Sequence, residues 1–175
     1  MTVARFLLDT NVIGAFAKRG EPDPTVKTWL LGIDAADLAI SVLTITEMVA
    51  GVERKRREDA KVAQEMAPRV RSLLTQFQGL FLPVGAGEAE LLGEMHACPP
   101  LRNFITGGTG DRPKNGADLL IAATAIVNNL VVVTRDVGDF AFIHQHFPLP
   151  GLFNPFEGEW VVTPAPTVPG RAPAI

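Results

Sequence analysis

Short apolar runs alternate along the chain with longer segments whose apolar residues recur at helical spacing. The runs Val3–Leu8, Leu38–Val42, Leu80–Val84 and Val131–Thr134 lack the in-and-out alternation of a half-exposed strand. They are typical of strands that a parallel sheet buries on both faces. Gly151–Phe153 is predicted to be a last, edge strand.

Between these runs, apolar side chains fall three and four residues apart, which predicts amphipathic helices. A long helix is predicted to begin at Ser41 or Thr44, and Pro68 is a candidate kink in the helix that follows it. The other predicted helices are Val12–Lys18, Thr25–Leu31, Ala63–Phe77, Glu88–Ala97, Gly116–Asn128 and Val137–His144. Strands that alternate with helices predict an α/β fold, a three-layer α/β/α sandwich with a mainly parallel central sheet.

Two stretches are rich in proline and glycine. Cys98–Asn115 is predicted to be a long loop, and loops of that length are usually functional or mobile. From Thr163 onward prolines recur every few residues, which predicts a disordered tail. The predicted organisation is one domain over residues 1–160, followed by a proline-rich tail over residues 161–175.

Composition excludes several classes of protein. With 47% hydrophobic and 20% charged residues, the 175-residue chain resembles a folded globular protein rather than a disordered one. Cys98 is the only cysteine, which excludes an internal disulfide and a thiolate zinc cage and favours a reducing compartment. The sequence has neither a recognisable signal peptide nor the ~20 apolar residues of a membrane helix, so we expect a cytoplasmic protein with no membrane contact.

The net charge of −3 does not by itself indicate nucleic-acid binding. Seven of the 16 basic residues, however, lie between Arg54 and Arg71. Acidic residues are interleaved with them, which is typical of a solvated helix face. A phosphate-contacting patch is the second interpretation, and the sequence leaves both open.

Four acidic residues are predicted to converge at one edge of the sheet. Asp9 follows the first strand, and Asp136 follows the fourth. Glu47 lies about one turn into the helix after the second strand, and Asp118 lies in the first turn of the helix that leads into strand four. In an open α/β sheet the ligand crevice lies beyond the carboxyl ends of the strands. Each acid taken alone could instead be a helix cap or a partner of the helix dipole.

Converging carboxylates repel one another, by roughly 3 kcal/mol for a pair about 5 Å apart at an effective dielectric constant near 20. A shared proton, a nearby arginine or a divalent cation would compensate. Oxygen ligands suit Mg²⁺ or Mn²⁺, which keep several waters and bind substrate phosphates. Such an ion could activate a water molecule for in-line attack on phosphorus.

The segments around these acids resemble the motifs of PIN domains, in order and in spacing, over roughly residues 4–156. Among PIN domains the resemblance is to the toxins called VapC and FitB, and the last segment resembles the ending of FitB-like members. The matching segments are Leu7–Ile13, Ser41–Val52, Ala117–Ala125, Val133–Phe140 and Phe153–Phe156.

The resemblance implies a Mg²⁺-dependent endoribonuclease, the toxin of a VapBC/FitAB-like toxin–antitoxin pair. It also implies an RNA substrate, a cognate antitoxin protein and a homodimer. By matching position, the residues that are implied to hold the metal and to act in catalysis are Asp9, Glu47, Asp118 and Asp136. Asn11 and Thr134 would orient carboxylates or water. Asp139 is an alternative to Asp136, because some family members carry the aspartate of this motif at that position.

Two other functions stay open. A catalytically silent PIN-like module would bind RNA or a protein, although all four acids are present. A phosphotransfer domain is disfavoured, because a haloacid-dehalogenase-like phosphatase needs an aspartate where Asn11 stands, and a receiver needs paired acids that residues 4–8 do not supply. The three histidines lie in separate segments without metal-type spacing, which favours packing or surface roles.

Overall fold

A computed structural model describes residues 5–17, 23–106 and 116–165, and its centre is a six-stranded sheet. Neighbouring strands run parallel except for the last pair, β5 and β6, which is antiparallel. The predicted mainly parallel sheet is thus confirmed. The strands are β1 (Phe6–Leu8), β2 (Leu38–Ser41), β3 (Phe81–Leu82), β4 (Val131–Val133), β5 (Leu152–Asn154) and β6 (Glu159–Val162).

The spatial order of the strands is β3-β2-β1-β4-β5-β6. The chain first builds outward from β1 through β2 to β3, and then returns to lay β4 on the other side of β1. The reversal places a topological switch point between β1 and β4, where ligand crevices form in open α/β sheets. Leu8 is in register with Ile40 of β2 and Val133 of β4, so these strands end at the same level.

Helices cover both faces of the sheet. They are α1 (Thr10–Ala17), α2 (Pro24–Leu31), α3 (Val42–Glu58), α4 (Ala60–Gln76), α5 (Ala86–Ala97), α6 (Asn103–Thr106), α7 (Ala117–Val127) and α8 (Val137–His144). On β1, Phe6 and Leu8 join a cluster with residues of α1 to α4, whereas Leu7 joins a cluster with residues of α5 to α8. Because successive side chains of a strand point to opposite faces, β1 is buried from both sides. The predicted three-layer sandwich is confirmed.

The boundaries of α3 and α4 follow from two caps. The Ser41 hydroxyl accepts the Leu43 backbone amide and begins α3, which was one of the two predicted starts. Asp59 ends α3 and also caps α4, accepting the amides of Lys61 and Val62. A single residue therefore joins two 17-residue helices into a hairpin, and α4 continues through Pro68.

Cys98–Asn115 was expected to be an irregular loop, and for its described part that prediction is wrong. Residues 99–101 form a 3₁₀ turn and residues 103–106 form α6. Leu101 and Phe104 are buried in the core, and that burial orders a segment whose prolines suggested a loop. Residues 107–115 lie outside the described residues.

The predicted last strand, Gly151–Phe153, is found as β5, but its expected place at the edge of the sheet is wrong. β5 is not an edge strand, because β6 pairs with it antiparallel through a tight turn in which Gly158 takes a φ of +70°, a backbone region open to glycine. β6 was not predicted; it is mostly exposed, although its last three residues, Trp160, Val161 and Val162, are apolar. It ends at Val162, two residues beyond the predicted domain end. Residues 166–175 of the predicted tail lie outside the described residues.

Within the described ranges, none of the helices is long and apolar enough to span a bilayer.

Candidate active site

Asp9 lies at the switch point of the sheet. It follows β1 directly, and its backbone amide donates to the Val133 carbonyl of β4 over 3.0 Å. That bond fixes the carboxylate between two strand ends, and only 5% of the residue is exposed. An aspartate is rarely buried this deeply unless hydrogen bonds or a cation stabilise it.

Three donors surround the Asp9 carboxylate. The Thr10 amide donates to Oδ1 over 2.6 Å, and the Asn11 amide and the Thr134 hydroxyl donate to Oδ2, each over 2.7 Å. Donors to a carboxylate favour its ionised form. Asn11 and Thr134, the expected supporting residues, both donate to the same oxygen of this carboxylate.

The pKa of Asp9 is nevertheless raised to about 7, mainly by burial, which outweighs the lowering by the Thr134 hydroxyl and the Thr10 amide; the negative charges of Asp118 and Glu47 add to the rise. These charges act on Asp9 only because the fold brings three acids from three separate segments together. At neutral pH the cluster is therefore poised to hold either a proton or a cation.

Glu47 is held toward this cluster by a threonine pair. It is the sixth residue of α3, and its carboxylate accepts the Thr10 hydroxyl from the first residue of α1. Thr44, fully buried one turn earlier on α3, has its hydroxyl 3.2 Å from that of Thr10. These two contacts fix the rotation of α3 about its axis relative to Thr10, the residue that follows Asp9.

Asp136 belongs to the same network from the solvent side. Its backbone amide donates to the Thr134 hydroxyl over 3.0 Å, and the Asn11 amide lies 3.4 Å from its carboxylate. It occupies the cap position of α8 but makes no side-chain capping bond, so its carboxylate is not used for helix capping. Asp139, the alternative residue of this motif, is half-buried in the first turn of α8.

Asp118 is half-buried in the first turn of α7, which begins after Gly116. Gly116 has a φ of +72°, in the left-handed region that favours glycine. The helix start provides a favourable dipole for the carboxylate, and its charge is felt at Asp9. The structure therefore places all six predicted site residues around one crevice.

The side-chain atoms that this crevice offers as metal ligands are carboxylate oxygens. Among the described residues, no group of three or more His, Cys, Asp or Glu side chains is arranged as a ready-made metal cage. Mg²⁺ does not require one, because it keeps several waters and takes one or two protein carboxylates together with substrate phosphates. Buried Asp9 with a raised pKa, and Asp118 and Glu47 near it, fit an ion of that kind.

Two parts of the site were not predicted from the sequence. Thr10 links Asp9 to Glu47, because its amide donates to Asp9 and its hydroxyl donates to Glu47. A cavity of about 580 Å³ opens beside the cluster and is lined by Thr10, Asn11 and Glu47, and also by Arg69 and Arg135. The two arginines come from α4 and from the turn after β4, and no sequence motif had paired them.

Two histidines have structural contacts, as the sequence indicated. The His144 Nδ1 accepts the Leu149 amide over 2.9 Å, and His146 packs edge-on against Phe142. Both contacts fasten the end of α8 and the chain that follows it.

The sequence of the chain is similar to those of several known proteins. A family model described as the PIN domain matches residues 6–142. The toxin FitB of Neisseria gonorrhoeae is 33% identical over 135 residues, which are 77% of this chain and 89% of that protein. The VapC ribonuclease Y4jK of Sinorhizobium fredii is 29% identical over 135 residues, with the same coverage of both chains. The plasmid stability protein StbB of Pseudomonas syringae pv. tomato is 29% identical over 140 residues, again covering 77% of this chain and 89% of that one.

Solved structures agree with this placement. A structure of FitAB bound to a DNA fragment aligns with a TM-score of 0.56 and 28% identity, over 86% of this chain and 95% of that one. The crystal structure of FitAcB from Neisseria gonorrhoeae aligns with a TM-score of 0.55 and 28% identity, over 86% and 98%. VapBC2 from Rickettsia felis, at 21% identity and a TM-score of 0.56 over 85% and 97%, shares the fold.

Proposed function

This chain belongs to the PIN-domain family, and on that premise we propose that it is a Mg²⁺-dependent endoribonuclease, the toxin of a toxin–antitoxin pair. The observation that carries the proposal is the Asp9 carboxylate, buried at the β1–β4 switch point with its pKa raised by burial and by the charges of Asp118 and Glu47. Such a site is stable at neutral pH when a cation is bound, and a cation beside a crevice suits phosphodiester chemistry.

Asp9 and Asp118 would hold the metal directly, with Glu47 and Asp136 acting through water. When bound, Mg²⁺ or Mn²⁺ would lower the pKa of water and stabilise the charge of an in-line displacement at phosphorus. The chain itself supplies orientation. Asn11 and Thr134 donate to one oxygen of Asp9. Thr10 donates to the other oxygen of Asp9 through its backbone amide, and it donates to Glu47 through its hydroxyl.

The chain also determines whether the Asp9 carboxyl carries a proton at neutral pH. With a pKa of about 7, Asp9 is partly protonated at neutral pH, and it must release this proton when a cation binds. The hydroxyl of Thr134 and the amide of Asn11 stabilise the ionised form that remains. Metal binding should therefore be tighter at pH 8 than at pH 6.

The partners follow from the relatives. FitB is named a toxin and Y4jK a VapC ribonuclease, and the solved relatives include FitAB and VapBC complexes. We accordingly propose an RNA substrate, a cognate antitoxin, a homodimer and a cytoplasmic location for this chain. Sedimentation of the purified chain, alone and with its antitoxin, measures both assemblies.

The decisive experiment is cleavage of a mixed RNA pool by the purified chain, with Mg²⁺, with Mn²⁺ and with EDTA. The Asp9→Asn and Asp118→Asn proteins are compared with Glu90→Gln, which neutralises an exposed carboxylate on α5. We expect metal-dependent cleavage that both aspartate variants lose and that Glu90→Gln retains. Cleavage that survives EDTA, or that survives in folded Asp9→Asn, would contradict the mechanism. RNA binding without cleavage would favour the silent module.

A further inference from the structure

Arg135 lies at the edge of the carboxylate cluster without taking part in it. It stands between Thr134 and Asp136, and its backbone amide donates to the Asn11 Oδ1 over 3.1 Å. Asn11 in turn donates to Asp9, so the backbone of Arg135 is fixed relative to the buried carboxylate. The side chain is exposed and lines the 580 Å³ cavity that also reaches Glu47.

An aromatic platform holds the guanidinium of Arg135. Its central carbon lies 3.7 Å from the centroid of the Phe156 ring. Phe156 is itself anchored, because its amide donates over 3.0 Å to the side chain of Asn154, a buried residue at the end of β5. Stacking on a ring orients the guanidinium plane and leaves its five N–H donors at the rim available.

No carboxylate in the described part of the chain forms an ion pair with this guanidinium. An arginine next to four acids would be expected to pair with one of them. Its stacking on Phe156 instead points the charge at the cavity, whose lining also includes Arg69 of α4. A planar guanidinium matches the geometry of a phosphate through two parallel hydrogen bonds.

We propose that Arg135, stacked on Phe156, is a phosphate-binding residue that positions an RNA strand beside the carboxylate cluster, with Arg69 as a second contact across the same cavity. This inference rests on the proposed ribonuclease function and adds the binding subsite that it needs. An RNA strand approaching Asp9, Glu47 and Asp118 meets like charge, and Arg135 supplies opposite charge at the place where the strand must enter.

The test measures RNA binding separately from hydrolysis. A fluorescent single-stranded RNA is titrated with protein in Mg²⁺ at several salt concentrations, in the Asp118→Asn background, and the slope of log Kd against log salt is determined. Removing one basic side chain that contacts a phosphate lowers that slope by about 0.7 for single strands. We expect this change in Arg135→Gln and, independently, in Arg69→Gln.

Two further variants separate the charge of Arg135 from its stacking on Phe156, and a third is a control outside the cavity. Arg135→Lys keeps the charge and should keep the slope, and Phe156→Leu should weaken binding about 2- to 5-fold at an unchanged slope. Arg102→Gln removes an exposed arginine that the cavity lining does not include, and it should change neither quantity. Melting temperatures identify any variant that loses stability.

An unchanged slope in folded Arg135→Gln would overturn the inference, as would a wild-type protein that does not bind RNA. A variant that only melts earlier would show Arg135 to be a structural staple of the β5–β6 turn. If Arg135→Gln weakened the binding of poly-glutamate but not of RNA, the cavity would be a site for acidic peptides. A lower slope in Arg135→Gln, together with a protein of native sequence at Asp118 that binds RNA but cleaves none of it, would support the subsite and refute the ribonuclease.

Discussion

Asp9 and Asp136 each follow the end of one of two neighbouring parallel strands, yet their surroundings differ. Asp9, one residue beyond β1, is buried, accepts three hydrogen bonds and has its pKa raised to about 7. Asp136, three residues beyond β4, is exposed, and its nearest side-chain donor lies 3.4 Å away. Topology brings both carboxylates to the crevice, and burial decides which one becomes its electrostatic centre.

This difference divides the site into an inner part, formed by Asp9, Asn11 and Thr134, and an outer part, formed by Asp136, Arg135 and Phe156. The inner part is held by short hydrogen bonds that link β1 to β4. The outer part is held by a ring contact and faces solvent. Substitutions in the inner part should therefore have large effects on cleavage and folding, whereas those in the outer part should have smaller effects on cleavage and on substrate binding.

The largest effect is expected from Asp9→Asn. Removing this charge removes the main attraction for a cation, whose stabilisation of the reacting phosphate is worth several kcal/mol. We expect RNA cleavage in saturating Mg²⁺ to fall by about 1,000-fold or more. Single-turnover cleavage rates measure the loss, with Glu90→Gln as the matched control. A folded Asp9→Asn protein within tenfold of wild type would remove Asp9 from the centre of the site.

The raised pKa of Asp9 predicts how stability depends on pH in EDTA. The ordinary pKa of this carboxyl is 3.8, whereas in the fold it is about 7. Between these values the folded chain keeps a proton that the unfolded chain has released, so the free energy of unfolding falls as pH rises. At pH 8 the contribution is a loss of up to about 4 kcal/mol relative to pH 4.

Urea unfolding of wild type and Asp9→Asn at pH 5, 6, 7 and 8 measures this contribution. The variant lacks the titrating group, so its stability should fall less steeply across the window than that of wild type. Mg²⁺ should restore the stability of wild type more at pH 8 than at pH 5, because the cation replaces the proton. Equal pH slopes in the two proteins would contradict the raised pKa.

A smaller effect is expected when the inner part keeps its charge but loses a donor. Thr134→Val removes the hydroxyl that stabilises ionised Asp9 and that also accepts the Asp136 amide. Partners that orient a metal ligand are typically worth 10- to 100-fold in metal affinity or activity. We expect the Mg²⁺ concentration for half-maximal cleavage to rise by about that factor at pH 7.

Thr124→Val is the matched control for this substitution. Thr124 is equally buried, but its hydroxyl donates to the Leu120 carbonyl within α7. It should leave the Mg²⁺ dependence unchanged. If both valine variants shifted the dependence equally, packing rather than the hydrogen bond to Asp9 would be responsible.

Features of the fold that depend on residues close together in the sequence were predicted better than features that depend on residues far apart in it. The apolar runs placed β1 and β4, and strand-end topology brought Asp9 and Asp136 to one crevice; the bounds of α8 were predicted to the residue. Local periodicity carries such information because it depends on neighbours within one turn or one strand. β6 was missed although three of its four residues are apolar, because the run is short and exposed and forms a strand by pairing with β5.

Contacts between side chains from distant segments were beyond prediction. Thr10 meets Glu47 across 37 residues, and Arg135 meets Phe156 across α8 and β5. Nothing in the local sequence fixes the rotamers that make these contacts. The raised pKa of Asp9 belongs to the same class, since it depends on the depth of burial and on charges from α3 and α7.

The smallest effect is expected from Asp136→Asn, and it tests the comparison most directly. Asparagine keeps the size of the side chain and the backbone bond to Thr134, and it removes only an exposed charge that solvent screens. We expect cleavage at saturating Mg²⁺ to fall by about tenfold or less, with stability in EDTA nearly independent of the substitution. A loss as large as that of Asp9→Asn would mean that the outer carboxylate binds the cation directly, and the division of the site by burial would then be wrong. Asp139→Asn, measured beside it, shows which of the two acids in this motif serves the reaction.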